Sequence, residues 1–157
     1  MDGGTGGTTV RDAGPPIVVD DSVTGTGQNQ FNYSAGPWNH CNPCTTMSTP
    51  PLYMTTNSWA GGTDAGANEF LTFAFMGTQI VFHGVKDPKN GIGAVSIDGG
   101  GETMVDFFSA TRAGDQPLWT SPVLAVGGHT FKLRATHTKN PSSTGTTITV
   151  DRVDVIR

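Results

Sequence analysis

"EFLTFAFMGTQIVFHGVK", residues 69–86, is the stretch that decides the fold. Leu71, Phe73 and Phe75 occupy every second position, and Ile80 and Phe82 resume the alternation after Met76-Gly77-Thr78. A period of two belongs to an extended strand with one buried face, because successive side chains leave opposite sides of the backbone. A helix would need apolar residues three and four apart. The stretch therefore predicts two antiparallel strands, with Ile80 and Phe82 on one face of the second and Val81 and His83 on the other.

The same alternation spreads in both directions. "IVVDD" (17–21), "QFNYS" (30–34) and "LYMTTNSW" (52–59) precede it. "AVSIDGG" (94–100), "ETMVDFF" (102–108), "PLWTSPVL" (117–124), "HTFKLRATH" (129–137) and "TTITVDRVDVI" (146–156) follow. Phe131, Leu133 and Ala135 alternate with Lys132, Arg134 and Thr136, the mark of a strand with one wet face. About ten such segments, separated by Gly-, Pro- and Asn-rich turns, predict an all-β antiparallel sandwich. In the last segment Ile148 and Val150 are out of phase with Val153 and Val155, which predicts a β-bulge near Asp151–Arg152.

Up-and-down succession sorts the connections into two ends. The glycine-rich turns at 76–78, 98–101 and 125–128 fall at one end. The longer polar loops at 60–67, 86–91, 109–116 and 138–145 fall at the other. "KDPKN" (86–90), the polar tip inside "VFHGVKDPKNGIGAVSIDGG" (81–100), thus joins "SATRAGD" and "THTKNPSSTG" on a shared rim.

Composition narrows the function classes. Residues 1–15 are small, polar and glycine-rich and read as a flexible linker, leaving 16–157 as the folded module. That arrangement is expected of an accessory domain cut from a larger secreted protein. Net charge is −4 with the basic residues scattered, so no basic field exists to draw nucleic acid. No apolar run approaches the roughly 20 residues of a membrane-spanning helix. A monomer, with neither nucleic acid nor membrane as a partner, is expected.

Cys41 and Cys44 lie in "NHCNPCT". Pro43 and the polar flanks favour a loop over the redox helix that CxxC opens elsewhere. One CxxC beside His40 supplies too few ligands for zinc, so a local disulfide is expected, with free thiols as the alternative.

Several stretches together now resemble a known group: "VDDSVTGTGQNQFNYS", "FMGTQIVFHGVKD", "GIGAVSIDGG", "TSPVL…GGHTFKLRATHTKN" and "VDRVDVI". They resemble the galactose-binding-domain-like jelly rolls appended to bacterial polysaccharide-degrading enzymes, over roughly residues 17–157. Within that group the pattern is most similar to carbohydrate-binding modules of family 61, which attach to galactanases and bind β-1,4-galactan. The Cys-x-x-Cys loop has no counterpart that we can place in that family.

A sugar site needs a flat aromatic face for the C–H side of a pyranose and fixed donors and acceptors for its hydroxyls. Trp38 and Trp119 read as packing residues; the related jelly rolls carry a packing tryptophan at the position of Trp38. Trp59 closes a strand at the polar end and is the candidate platform. Lys86, Asp87, Asn90, Arg112, Lys139 and Asn140 are the candidate polar partners, Asp87 accepting and the others able to donate. The plain alternative for each is a solvated loop tip.

Asp20 and Asp21 open the module, and Asp151 and Asp154 close it. Carboxylates gathered where first and last strands meet would repel unless a hard cation joined them. The resembled jelly rolls commonly hold a structural calcium there, so calcium is expected, with Asp21 and Asp154 as the better pair. Salt bridges to Arg152, Arg157 or Lys132 are the alternative.

Catalysis finds little support. Glu69 and Glu102 are the two glutamates and both start strands. A glycosidase needs two carboxyls facing across a cleft, and no serine stands in a GxSxG elbow. The expected protein is a non-catalytic module that binds a polysaccharide or oligosaccharide, β-1,4-galactan first, and targets a catalytic domain in the same chain. A structural or adhesive module without a sugar site, or a small lyase or hydrolase, are the alternatives.

Overall fold

Alternation builds strands, and the strands stack in two layers. The structure, a computed structural model, describes residues 14–62 and 68–157. Most of the expected linker and positions 63–67 of the 60–67 loop lie outside the described residues. The strands are β1 (Ile17–Asp20), β2 (Phe31–Tyr33), β3 (Asn39–Cys41), β4 (Asn57–Ala60), β5 (Phe70–Gly77), β6 (Gln79–Lys86) and β7 (Ile92–Ile97). They continue as β8 (Thr103–Asp106), β9 (Ala113–Thr120), β10 (Gly127–Thr138), β11 (Ile148–Val150) and β12 (Arg152–Ile156). All pair antiparallel, in a four-stranded sheet β1-β12-β6-β9, a five-stranded sheet β2-β5-β10-β7-β8 and a three-stranded sheet β11-β4-β3.

Register explains the core. Phe31, Phe73 and Phe131 stand opposite one another on β2, β5 and β10, and Leu71, Leu133 and Val95 form the next row. From the facing sheet, Val19, Val153 and Phe82 form one row, and Val155 with Ile80 another. These side chains are buried and form one cluster. Phe82 meets Phe131 across the layers at 5.3 Å between ring centroids. Each such side chain taken fully out of water contributes about 1.5–3 kcal/mol, so the two faces hold each other.

The expected bulge at Asp151–Arg152 is a change of partners. Up to Val150 the chain pairs with β4; from Arg152 it runs between β1 and β6. Asp151 is the fully buried residue between, its N–H donating to the His83 carbonyl at 3.1 Å and its carbonyl accepting from Asp21 N–H at 3.0 Å. Skipping one residue turns Val150 and Val153 inward on consecutive segments. Two further differences concern the region before β4. Residues 53–55 form a short 3-10 turn rather than strand, and the Asn39–Cys41 segment, read as loop, is strand β3.

The two ends separate as the succession of strands implies. At the glycine end, Thr78 N–H reaches the Ile156 carbonyl at 2.8 Å and Gly127 pairs with Gly77. Gly77 is required there, since a Cβ would lie 2.4 Å from the Ile156 oxygen. At the polar end, Asp87 N–H bonds the Phe107 carbonyl at 3.1 Å, and Thr144 N–H bonds the Pro88 carbonyl at 2.9 Å. A Cβ on Gly91 would lie 2.5 Å from Thr146 Cα, so glycine lets the 86–91 and 139–147 loops meet. One rim therefore carries the polar loops.

Candidate functional site: a cleft on the small sheet

The three-stranded sheet has one face for the core and one for the rim. Ala60, Ile148 and Val150 point inward and are buried. The register places Trp59 of β4 between Asn39 of β3 and Thr149 of β11, and Asn57 beside Cys41. Cross-strand partners share a face, so Asn39, Cys41, Asn57, Trp59 and Thr149 project together on the outer side. Asn57 and Trp59 are two apart on one strand, which is why they do so.

The loops of the polar rim wall this face into a cleft of about 330 Å³, where Trp59, Asn57 and Thr149 meet Asp87, Lys89, Asn90 and Arg112, with the Cys41–Cys44 bridge at one side. Arg112 Nη1 donates to Asp87 Oδ2 at 2.9 Å, and Lys89 N–H donates to Asp87 Oδ1 at 2.9 Å. The ion pair fixes a donor and an acceptor in one place, and the planar guanidinium loses less freedom per hydrogen bond than a lysine would. Asn57 Oδ1 and Arg112 Nε are buried and have no hydrogen-bond partner among the described residues. Buried polar atoms are normally paired, so these two mark the cleft as a place where polar contacts are incomplete.

The sequence candidates divide. Trp59, Asp87, Asn90 and Arg112 line the cleft together. Asn90 is buried and its Nδ2 donates to the Val85 carbonyl at 2.7 Å, so it also shapes the hairpin tip. Lys86, Lys139 and Asn140 do not line the cleft. Lys86 ends β6, paired with Ala113. Lys139 Nζ bonds the Ser143 carbonyl, and Asn140 Nδ2 donates to Asp106 Oδ2 at 2.8 Å, so both tie their own end of the rim together. Sharing a rim does not aim every side chain at its centre. Asn57, Lys89 and Thr149 also line the cleft without having been singled out from the sequence; Asn57 was readable by its two-residue offset from Trp59 and Lys89 by its place in the KDPKN tip.

Cys41 and Cys44 are bonded, with Cα atoms 4.9 Å apart. The bridge closes the loop that follows β3, and Cys44 N–H bonds the Thr55 carbonyl at 2.7 Å, anchoring that loop to the turn before β4. Trp38 and Trp119 are packing residues. Trp38 Nε1 donates to the Phe70 carbonyl at 3.2 Å, and Trp119 stacks on Phe131 at 5.9 Å.

The carboxyl groups chosen for calcium are not assembled as one site. Asp154 lies on β12 opposite Val18, where Arg152 Nη1 holds one oxygen and His83 Nε2 approaches the other at 3.3 Å. Asp21 sits past the end of β1, its Oδ2 accepting from the Ser58 hydroxyl, while its Oδ1 is buried without a hydrogen bond. Asp20 Oδ2 accepts from Thr56 Oγ1 at 2.7 Å. The Asp151 carboxyl turns the other way, accepting from Tyr53 N–H at 3.1 Å and Asp115 N–H at 2.8 Å. Among the described residues no three His, Cys, Asp or Glu side chains are grouped to hold a metal. The residues present do not bring the expected Asp21–Asp154 pair together, because the β1–β12 register sets Asp154 opposite Val18, three residues before Asp21. Chelation followed by added calcium is expected to leave the melting temperature within about 1 °C. A rise of several degrees on adding calcium would show that Asp20, Asp21 and nearby oxygens complete a site of their own.

Burial pushes the Asp151 carboxyl up to about 7, against the lowering effect of its two backbone donors. Burial likewise raises Asp21 to about 6, against the lowering effect of its bond from Ser58 and of the nearby Thr56 hydroxyl. Each sits in the other's vicinity, which for Asp151 adds to the rise.

Fold and cleft together define an antiparallel β-sandwich with a polar, tryptophan-floored cleft at one end. No family model matches the chain, and no curated protein matches it. Among solved structures it is similar to a xanthan lyase from Paenibacillus, with a TM-score of 0.57 and 15% identity. The match takes in 90% of this chain and 13% of that one, so the chain corresponds to a small part of the lyase. At that identity the likeness shows the fold.

Proposed function

We propose that the protein is a non-catalytic carbohydrate-binding module that binds galactose-containing polysaccharide, β-1,4-galactan first, and holds an attached glycoside hydrolase near it. The observation that carries this reading is the cleft in which the Trp59 indole shares a wall with the Asp87–Arg112 pair. An indole accepts the C–H face of a pyranose, and a fixed carboxylate beside a guanidinium accepts from one hydroxyl and donates to another. Support for a carbohydrate setting comes from the sandwich shared with a small region of a polysaccharide lyase. The galactan preference rests on the sequence resemblance to family 61. Secretion is in keeping with the Cys41–Cys44 bridge, since disulfides persist in oxidising compartments. No helix among the described residues is long and apolar enough to cross a membrane.

The cleft has a single carboxyl among its lining residues, Asp87, held by Arg112. The role assigned to the module is tethering, which raises local enzyme concentration without chemistry. Electrophoresis in gels containing galactan, xylan or β-glucan tests it. Retardation by galactan, with no reducing or unsaturated ends released, is the expected result. Free migration through every gel would leave a structural or adhesive module. Released ends would make it a small lyase or hydrolase.

A further inference from the structure

Arg112 supplies the guanidinium of the cleft, yet it belongs to no strand. The ladder between β6 and β9 ends at Lys86 and Ala113, so Arg112 is the first residue outside it. A side chain as long as arginine has many rotamers to lose when it is ordered. Its aim at Asp87 therefore depends on what grips the backbone at position 112.

The segment between the disulfide and β4 supplies that grip. It begins at Cys44, moored to β3 through Cys41, and lies against the start of β9. Thr49 N–H donates to the Arg112 carbonyl at 3.4 Å, and Gly114 N–H donates to the Pro50 carbonyl at 2.9 Å. The segment thus clasps the backbone at Arg112 and again two residues on. Gly114 makes the fit possible. A Cβ there would lie 2.8 Å from Leu52 N and from Ser48 Oγ, and 2.9 Å from the Pro51 carbonyl carbon, all atoms of the segment. Gly114 has no positive φ, so what the glycine supplies is close approach.

The far end is tied to the same partner. Asp151, fully buried, accepts from Tyr53 N–H on the segment and from Asp115 N–H on β9, so one carboxyl joins both halves of the clasp. Beside those bonds, Met54, Thr55 and Asp115 hold φ of 46°, 61° and 49°. Left-handed backbone is disfavoured for residues with a Cβ, most of all for a β-branched one such as Thr55. Such strain persists where surrounding bonds enforce it. Here it gathers where the segment meets β9.

We propose that residues 44–55 are a positioning strap for Arg112, fixing through Thr49, Pro50 and Gly114 where its guanidinium stands beside Asp87. The inference rests on the carbohydrate reading of the cleft and deepens it by naming what sets its donor. The same strap brings Cys44 and Thr46 to the cleft wall. Tied at both ends and clasped in the middle, it presents the guanidinium already oriented. A saccharide hydroxyl then meets a donor whose ordering has been done in advance.

Gly114→Ala tests this, because it forces the strap away from β9 while leaving the Arg112, Asp87 and Trp59 side chains in place. Leu52→Ala is the second variant. Leu52 is the buried apolar side chain of the strap and lies outside the cluster that joins the two layers. Affinity for β-1,4-linked galactotetraose is measured by calorimetry for wild type, Gly114→Ala, Leu52→Ala and Arg112→Ala. Each strap variant is also combined with Arg112→Ala. Thermal melts certify folding, and either strap variant suffices if the other does not fold.

Each strap variant should weaken binding about tenfold, and Arg112→Ala about 30-fold. Each double variant should bind as Arg112→Ala does, within about twofold, since the strap then has no guanidinium left to aim. Losses that multiply, to about 300-fold, would show the strap acting on the cleft by another route. That result, or strap variants that bind as wild type does, would overturn the positioning role and leave sugar binding by the cleft standing. Absence of binding by wild type would overturn the carbohydrate reading and this inference with it.

Discussion

Trp59→Ala is expected to weaken binding to a galactan oligosaccharide by roughly 30-fold, equivalent to about 2 kcal/mol of lost apolar contact. The indole sits on the outer face of the small sheet, outside the hydrophobic cluster that holds the layers together. Removing it should therefore leave the melting temperature nearly unchanged. The control is Trp119→Phe: Trp119 packs against the core and stacks on Phe131. That change should lower stability and spare affinity. Calorimetry with parallel thermal melts separates the two effects. Retained affinity in Trp59→Ala would remove the platform and, with it, the reading of the cleft.

Stability should increase as the solution is acidified from pH 8 to about pH 5, by on the order of 5 °C in melting temperature. Burial holds Asp151 at about 7 and Asp21 at about 6, both above the value near 3.9 of an unfolded aspartate. The folded state thus keeps protons that the unfolded chain releases. Their contribution is complete below about pH 4 and is lost as pH rises through about 6 and then about 7. His129 acts in the same sense, its value raised by the bond to the Ala125 carbonyl and by Asp98. His40 opposes it, because burial lowers its value and its contribution fades as pH falls.

Asp98, lowered by its bond from His129, and Glu102, lowered by Arg134, lose their contributions only below about pH 4. The profile is to be measured in chelator. Asp21→Asn combined with Asp151→Asn should flatten the slope, whatever it does to absolute stability. A melting temperature that falls steadily from pH 8 to pH 5 would show that the two buried acids are ionised and held by something other than protons.

Much of this protein was legible residue by residue, and the failures share a cause. The hairpin of β5 and β6, the buried phenylalanines and the sorting of turns from polar loops follow from alternation and from where glycine recurs. That Trp59, Asp87, Asn90 and Arg112 line one cleft was readable because strand succession places their segments at one end. Lys139 and Asn140 belong to the same end, yet they bond Ser143 and Asp106, and no local pattern says which way a loop side chain turns. Asp21 and Asp154 were grouped because first and last strands adjoin, which β1 and β12 do. The register then sets Asp154 opposite Val18, three residues away from Asp21.

The amino-acid order alone determined the strands, their inward faces and the two ends of the sandwich, because a period of two and a glycine turn are properties of a few adjacent residues. Only the tertiary structure decided that residues 39–41, 57–60 and 148–150 lie side by side in one sheet. That pairing joins segments about a hundred residues apart and depends on which edges remain free after the core has packed. It places Cys41, Asn57 and Thr149 around the indole.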